Sequence, residues 1–156
     1  MNKFSHKGSE KKKLVTRLFN DIARRYDFLN HFFSFVVDYY WRNRLIKAIN
    51  PQKDYSMLDV ATGTGDVAFK LAPKSQHVKG IDIASNMIDL ANKKKDKKNF
   101  SNVDFLVGDA ENLPFEDNSF DVITIAYGYR NISNQEKALK EFNRILKSNG
   151  LSLIHI

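Results

Sequence analysis

Residues 57–66 read MLDVATGTGD, and this stretch decides the fold. Its first half is a short apolar run typical of a buried strand, and its second half carries Gly63 and Gly65 just before a helical pattern. A strand, a glycine loop and a helix in immediate succession place backbone N–H groups and the positive end of a helix dipole against a ligand. The stretch therefore predicts a ligand-binding loop.

Strand and helix patterns alternate after this loop, which is typical of an α/β protein with a parallel sheet covered by helices. The predicted strands are Met57–Ala61, His77–Ile83, Val103–Val107, Val122–Tyr127 and Leu151–Ile156. Ser85 is predicted to cap a helix that runs through Ala91. Residues 133–136 form a capping-box pattern that opens another helix, which Asn149 and Gly150 are expected to end through positive φ angles.

The N-terminal part of the chain is predicted to be helical. Residues 1–10 are expected to form a flexible tail, after which apolar residues recur at helical spacing over residues 11–26. The pair Asn50–Pro51 is expected to end the secondary-structure element that precedes it. The strand signals begin only beyond residue 53.

Composition excludes several kinds of chemistry. The 156 residues include no cysteine, so disulfides, thiolate nucleophiles and cysteine-based zinc sites are excluded. The four histidines lie far apart in the sequence, and we predict no metal site. The N-terminus is polar, and the longest apolar run, residues 32–37, is shorter than the roughly 20 residues that span a bilayer. We expect one soluble domain in the cytoplasm.

The net charge of +7 arises largely from two lysine clusters, Lys11–Lys13 and Lys93–Lys98. Solvated surface is the favoured interpretation of both clusters. An anionic partner is the alternative, and either an anionic membrane surface or a nucleic acid would suit these charges. Charge alone does not choose between these two partners.

Acidic residues accompany three successive predicted strands, at the sheet edge where ligands bind in such folds. Asp59 lies just before the glycines, and Asp82 ends the second strand, 19 residues after Gly63, where an acid can accept hydrogen bonds from ribose hydroxyls. Asp109 follows the third strand and suits an adenine amino group. A helix cap or loop hydrogen bond explains any one acid alone, but three acids after a glycine loop favour a cofactor site.

The glycine spacing fits two cofactors, because residues 63–68 also match the dinucleotide-binding fingerprint of nicotinamide enzymes. Asp66 opens the following helix, where a pyrophosphate would meet a like charge but the ammonium of an amino-acid ligand would not. Asp59 offers a second negative charge on the same side. These acids favour S-adenosylmethionine, and a nicotinamide-dependent oxidoreductase stays the main enzymatic alternative.

Several sequence blocks point to one family. They are YDFLN (26–30), SF (34–35), WR (41–42), LDVATGTGD (58–66), DAENLPF (109–115), DNSFD (117–121) and YGYRN (127–131). With these blocks the chain closely resembles the ubiquinone/menaquinone-biosynthesis C-methyltransferase family from about residue 14 onward. The resemblance implies an α/β, Rossmann-like class I methyltransferase fold with a parallel sheet in the order 3-2-1-4-5. The resemblance also implies that residues 11–52 form a helical lid or substrate region and that residues 53–156 form an S-adenosylmethionine-binding domain.

The resemblance also implies methyl transfer to a ring carbon of a polyprenylated quinol such as demethylmenaquinol. The expected cofactor-binding residues are Asp59, Gly63, Thr64, Gly65, Asp82, Asp109, Ala110 and Ala126. A quinol carbon becomes nucleophilic when its phenolic oxygen loses a proton, and we expect Arg130 to stabilise that phenolate. Tyr26, Asp27 and Asn30 are expected to position the ring. A surface ion pair is the alternative role for Arg130.

The chain departs from the family pattern at three places. Residues 36–38 replace the usual Gly-Ile-His, and residues 147–150 replace the usual Lys-Pro-Gly-Gly turn. The chain also stops at Ile156, inside the fifth predicted strand, whereas family members continue for two further strands. We therefore expect an incomplete sheet with an apolar edge strand. A non-catalytic cofactor-binding fragment is a further alternative.

Eight of the nineteen aromatic residues lie within residues 26–41. Such a cluster beside basic residues suits contact with a lipid-borne substrate at a membrane surface, and a helical cap packed on the sheet explains it equally well. We expect no nucleic-acid partner, because Tyr127–Tyr129 stands where nucleic-acid methyltransferases carry an Asn/Asp-Pro-Pro-aromatic block.

Overall fold

A computed structural model describes residues 8–155, without the side chains of residues 24–39 and 155. A long first helix is followed by alternating strands and helices. In chain order the elements are α1 (Ser9–Ile49), β1 (Ser56–Val60), α2 (Asp66–Leu71), β2 (His77–Asp82), α3 (Ser85–Lys98), β3 (Val103–Val107), β4 (Phe120–Ala126), α4 (Gln135–Ile145) and β5 (Leu146–His155). Short 3-10 turns lie at Ala72–Lys74 and Tyr129–Asn131.

The strands form one parallel sheet in the order β3-β2-β1-β4-β5. Central β1 pairs with two neighbours, so that Leu58 lies opposite Lys79 of β2 and Ile123 of β4. A parallel sheet brings the carboxyl ends of its strands to one edge, and the loops after β1 to β4 meet there. The predicted fold class and strand order are confirmed.

Apolar side chains pack on both faces of the sheet, because successive residues of a strand point to opposite faces. Met57 packs with α2 and the end of α1 on one face, and Leu58 packs with α4 on the other. The first cluster includes Ile46, Ile49, Leu71 and Val78, and the second includes Ile123, Phe142 and Ile145. This core holds the sheet edge that carries the site.

The first helix is longer than its apolar pattern predicts. The pattern covers residues 11–26, but α1 runs to Ile49, since the sequence has no glycine or proline between Gly8 and Pro51. Asn50 follows the last residue of α1 in the left-handed conformation (φ 47°), so the helix ends at the predicted Asn50–Pro51 pair. None of the helices, over the residues described, has the length and apolarity needed to cross a bilayer.

The last helix ends earlier than predicted. Asn149 and Gly150 do not close α4, and neither has a positive φ; both lie inside β5. The carbonyl groups at the end of α4 instead accept hydrogen bonds from the backbone N–H groups of Asn118 and Ser119. Gly150 lies where a side chain has no room, since a Cβ there would lie 2.7 Å from the Leu146 side chain and 3.0 Å from the carbonyl oxygen of Asp121 in β4.

Two predicted helix caps are also wrong. Asn134, rather than Ser133, caps α4, because its Oδ1 accepts the N–H of Lys137 over 3.0 Å. The hydroxyl of Ser133 is buried without a hydrogen-bond partner among the described residues. Ser85 makes no cap, and the N–H of Asn86 in the first turn of α3 instead donates to Asn20 Oδ1 of α1 at 3.0 Å. The long-range partner replaces the local cap.

Candidate cofactor cavity

A cavity of about 350 Å³ opens at the carboxyl edge of the sheet, beneath the amino-terminal half of α1. The loops after β1, β2, β3 and β4 all contribute to its walls. Six of the predicted site residues line it: Gly63, Asp82, Asp109, Ala110, Ala126 and Arg130. Its volume lies in the range of small-molecule sites.

Gly63 and Asp82 form a joined wall of the cavity. Gly63 has a φ of 57°, and a Cβ at this position would meet no other atom within 4 Å. Its N–H donates to Asp82 Oδ2 at 2.8 Å, and Asp82 Oδ1 accepts the N–H of Ala84 at 2.9 Å. Burial raises the pKa of the Asp82 carboxyl, although these backbone hydrogen bonds oppose the shift. The glycine leaves open space beside a fixed acceptor.

Two strand ends beside this wall adopt backbone conformations that non-glycine residues rarely take. Ala61 follows β1 with a φ of 52°, and Tyr127 follows β4 with a φ of 61°. A Cβ on Gly128 would lie 2.4 Å from the Cβ of Ala61, so the two turns are in close contact. Both turns line the cavity. Such conformations persist where the surrounding structure holds them, and they concentrate at binding sites.

Lys12 of α1 closes the side of the cavity formed after β3. Its Nζ lies 2.6 Å from Asp109 Oδ2 and 2.9 Å from Glu111 Oε2. Asp109 Oδ1 accepts the N–H of Glu111 at 3.0 Å, and Glu111 Oε1 accepts the N–H of Asn134. Burial alone would lower the pKa of Lys12, but the two carboxylates outweigh it and raise that pKa. These groups form a compact, half-buried charge cluster.

The same face of α1 forms the roof of the cavity. Val15 and Phe19 follow Lys12 at helical spacing, and all three line the space below. Lys11 Nζ donates to the backbone carbonyl groups of Arg130 and Ile132, at 3.0 and 2.8 Å. Sequence reasoning missed this wall because it favoured solvated surface for the lysine cluster. The i, i+3, i+7 spacing of the three lining residues is the signal that would have found it.

Asp59 lies outside the cavity lining. Its carboxylate is buried and accepts the hydroxyl hydrogens of Thr62, at 2.6 Å, and of Thr124, at 2.7 Å. Burial raises the pKa of Asp59 to about 6, against the opposing effect of these two hydroxyl groups. The side chain therefore stabilises the loop from below and is not brought to the ligand side.

Thr64 and Gly65 also lie outside the lining. Thr64 is buried, and its hydroxyl accepts a hydrogen bond from Lys94 Nζ at 2.8 Å. Gly65 precedes α2 with a φ of 86°, and a Cβ there would lie 2.6 Å from the ring of Phe105. These residues shape the glycine loop, and their predicted contact with a cofactor stays a prediction.

Asp66 faces protein cations. Its Oδ2 lies 2.8 Å from Arg42 Nη1 and its Oδ1 lies 3.3 Å from Lys94 Nζ. Burial alone would raise the pKa of Asp66, but the charges of Lys94 and Arg42 outweigh it and lower that pKa. Asp66 does not line the cavity. The expectation that its charge selects a ligand ammonium therefore gains no support from the geometry.

The predicted catalytic residues fall in two groups. Arg130 lies on the 3-10 turn after β4, is exposed, and lines the cavity. The side chains of Tyr26, Asp27 and Asn30 lie outside the described residues, so their role stays a prediction. Within the described part of the chain, no three acidic or histidine side chains converge as metal ligands.

The cavity suits a nucleoside chemically. Asp82 supplies a fixed acceptor for hydroxyl groups, and Gly63 leaves room for close approach of a ligand to the backbone. Ile83 and Met87 add an apolar wall beside Asp82. A ribose and an aromatic base fit this combination of an acidic acceptor and an apolar surface.

Sequence comparisons find similarity to methyltransferases. The model of the ubiE/COQ5 methyltransferase family matches residues 6–155. A demethylmenaquinone methyltransferase from Thermotoga maritima is 45% identical over 152 residues, which are 94% of this chain and 63% of that protein. The ubiquinone/menaquinone biosynthesis C-methyltransferase UbiE of Rhizobium etli is 41% identical over 153 residues, or 94% of this chain and 59% of that protein. The chain thus spans about three-fifths of the length of these relatives.

Solved structures share the architecture. The YcgJ protein from Bacillus subtilis aligns with a TM-score of 0.73 and 34% identity, covering 74% of this chain and 50% of that one. A SAM-dependent methyltransferase from Aquifex aeolicus aligns with a TM-score of 0.63 and 28% identity, covering 68% and 58%. With the observed strand order, these alignments confirm the predicted Rossmann-like class I methyltransferase fold.

Proposed function

The chain belongs to the ubiE/COQ5 methyltransferase family, and on that premise we propose that it methylates a ring carbon of a polyprenylated quinol with S-adenosylmethionine. The observation that carries this proposal is the match of the family model to residues 6–155, and the joined pair Gly63 and Asp82, which lines the cavity at the end of β1 and β2, supports its adenosine-binding part. Demethylmenaquinone is the substrate named for the relative from Thermotoga maritima. The proposed acceptor is therefore demethylmenaquinol or the equivalent ubiquinone precursor.

The cofactor is proposed to lie along the strand ends. Asp82 would accept hydrogen bonds from the ribose hydroxyls, with the adenine against Ile83 and Met87 and its amino group near Asp109. Ala110 and Ala126 complete the walls with small side chains. When bound, S-adenosylmethionine supplies a methyl group already activated on a sulfonium, so the protein mainly has to align donor and acceptor.

Arg130 is proposed to hold the acceptor in its reactive state. A quinol carbon gains nucleophilic character as the phenolic oxygen loses its proton, and a guanidinium beside that oxygen stabilises the negative charge. Arg130 lies after β4 at the cavity wall and is exposed, so an incoming ring can reach it. Tyr26, Asp27 and Asn30 are proposed to position the ring.

The chain is proposed to work in the cytoplasm, in peripheral contact with a membrane surface. Tyr40 and Trp41 are exposed on α1 by 55% and 39%, and Arg44 lies over both rings. Aromatic and basic groups of this kind favour the interface between water and lipid. Co-sedimentation with anionic liposomes tests this contact, and a chain with Phe32, Phe33 and Phe35 changed to serine should sediment less; unchanged sedimentation would contradict the contact.

Methyl transfer is tested directly with methyl-labelled S-adenosylmethionine and demethylmenaquinol in detergent under reducing conditions. Label should enter the quinol extracted into organic solvent, and Asp82→Ala should abolish the transfer. Unlabelled quinol, from a chain that still binds S-adenosylhomocysteine, would contradict the proposed activity and leave cofactor binding alone.

The role of Arg130 is tested separately. Arg130→Ala should reduce kcat by roughly 100-fold, because a group that stabilises developing charge is lost, while the affinity for S-adenosylhomocysteine stays the same. Wild-type turnover in this variant would show that Arg130 does not stabilise the phenolate.

A further inference from the structure

Both oxygens of Asp109 already accept hydrogen bonds from the protein. Oδ1 accepts the N–H of Glu111 at 3.0 Å, and Oδ2 lies 2.6 Å from Lys12 Nζ. A charged ammonium at this distance is a stronger partner for a carboxylate than a neutral amino group is. Each carboxylate oxygen can accept a second hydrogen bond, so a ligand amino group at Asp109 has to share the carboxylate with the ammonium of Lys12 and find room beside it.

Lys12 reaches Asp109 from the roof of the cavity. Its side chain lines the same space as Val15 and Phe19, so it takes up room next to the acceptor. The roof is attached at two further places, through Lys11 to the carbonyl groups after β4 and through Asn20 to Asn86 of α3. Loss of the Lys12 contact alone would leave these other attachments in place.

We propose that Lys12 competes with the adenine amino group of the cofactor for Asp109, and that Lys12 thereby sets the affinity of the cavity. This inference rests on the proposed function, because it takes S-adenosylmethionine as the ligand. Because the Lys12 side chain takes up cavity space beside Asp109, binding requires Lys12 Nζ to move away from Asp109 Oδ2, and Glu111 remains beside it to hold the ammonium. The apparent affinity then equals the intrinsic affinity multiplied by the fraction of molecules in which Asp109 is available.

The competition has a measurable size. Exposed and half-exposed ion pairs hold their partners only moderately, and Lys12 keeps 30% of its side chain exposed. Removing the Lys12 charge should therefore lower the dissociation constant of S-adenosylhomocysteine by roughly fivefold. A lysine that supports the cofactor would have the opposite effect.

Calorimetric titration of the whole chain with S-adenosylhomocysteine tests this. Lys12→Met and Lys12→Gln should each bind about five times more tightly than the unsubstituted chain. Lys13→Met is the matched control, because Lys13 lies on the same turn, is exposed, and does not line the cavity. This control should not change the dissociation constant by more than about twofold.

The outcomes are separable. Unchanged or weaker binding in both Lys12 variants would overturn the competition, and so would equal tightening in Lys13→Met, which would be a general effect of charge. If the unsubstituted chain does not bind S-adenosylhomocysteine at all, the proposed function fails before the role of Lys12 is reached.

Discussion

The backbone N–H of Gly63 donates to Asp82 Oδ2 over 2.8 Å, which ties the glycine loop after β1 to the acid that ends β2. The neighbouring Thr62 N–H donates to the carbonyl of Ile81 at 3.1 Å, so the two strand ends are joined twice. The carboxylate is thereby held in one orientation before any ligand arrives. Preorganised acceptors of this kind bind hydroxyl groups without further ordering cost.

Replacing Asp82 should weaken cofactor binding. Asp82→Asn removes a charged acceptor from the proposed ribose site, and hydrogen bonds to charged groups contribute about 1.5–3 kcal/mol. The dissociation constant of S-adenosylhomocysteine should rise by roughly 10- to 100-fold, as measured by calorimetry. Asp104→Asn is the control, since this carboxylate is exposed and pairs with Lys95 away from the cavity. Equal affinity loss in both variants would contradict the role of Asp82.

The two glycines of the loop should respond differently to alanine. Gly63→Ala places a methyl group in open space beside the cavity, at the cost of about 1 kcal/mol for its left-handed backbone. Gly65→Ala adds a clash with Phe105 at 2.6 Å, and overpacking costs roughly 1–3 kcal/mol more. Urea unfolding should show the larger loss for Gly65→Ala, with ligand affinity falling in Gly63→Ala. Equal free energies of unfolding would contradict this division.

Asp59 should make the stability of the chain depend on pH. Its pKa is about 6 in the folded chain, against an ordinary value of 3.8. Between these two values the folded state binds the proton more tightly than the unfolded state does. The free energy of unfolding contributed by Asp59 is therefore highest below about pH 4 and falls by roughly 3 kcal/mol as the pH rises through 6.

Asp59→Asn isolates this contribution because asparagine does not titrate. Urea unfolding of both chains at half-unit steps from pH 4 to pH 7 measures the difference. The decline in the free energy of unfolding should be smaller in Asp59→Asn, while Asp82, whose pKa is also raised, preserves part of it. Parallel curves for the two chains would show that Asp59 titrates normally.

The cap of α4 can be checked with two adjacent alanine substitutions. Asn134→Ala removes the oxygen that accepts the N–H of Lys137 and should lower the free energy of unfolding by about 1 kcal/mol. Ser133→Ala removes a buried hydroxyl without a described partner and should be neutral or slightly stabilising. A larger loss in the free energy of unfolding for Ser133→Ala than for Asn134→Ala would contradict this assignment and support the capping box that the sequence predicts.

The sequence was sufficient to predict the sheet and most of the residues at its carboxyl edge that line the cavity. Alternating apolar runs identify the strands, and parallel strands necessarily bring their carboxyl ends together. Asp82, Asp109 and Ala126 follow or end three of those strands, so their convergence on one cavity was predictable from order alone. Family motifs supplied the strand order, which spacing by itself leaves open.

Features that depend on distant contacts were not predictable in this way. The end of α4 is set by the N–H groups of Asn118 and Ser119, and no local signal at the end of α4 marks that partner. The sequence alone predicts that Lys12 is a solvated surface lysine. Its contact with Asp109 follows only from the position of α1 over the strand ends. The sequence likewise suggests that Asp66 is free to bind a ligand. In the structure, Asp66 pairs with Arg42 of α1, which lies 24 residues earlier in the chain.

Calorimetric titration of the chain with S-adenosylhomocysteine and, separately, with NAD⁺ tests most directly whether this cavity belongs to a methyl donor. The two ligands share an adenosine, so Asp82 and the glycine loop serve both, and only the remainder of each ligand discriminates. S-adenosylhomocysteine should bind at least roughly tenfold more tightly than NAD⁺. Tighter binding of NAD⁺, or no binding of S-adenosylhomocysteine, would contradict the assignment.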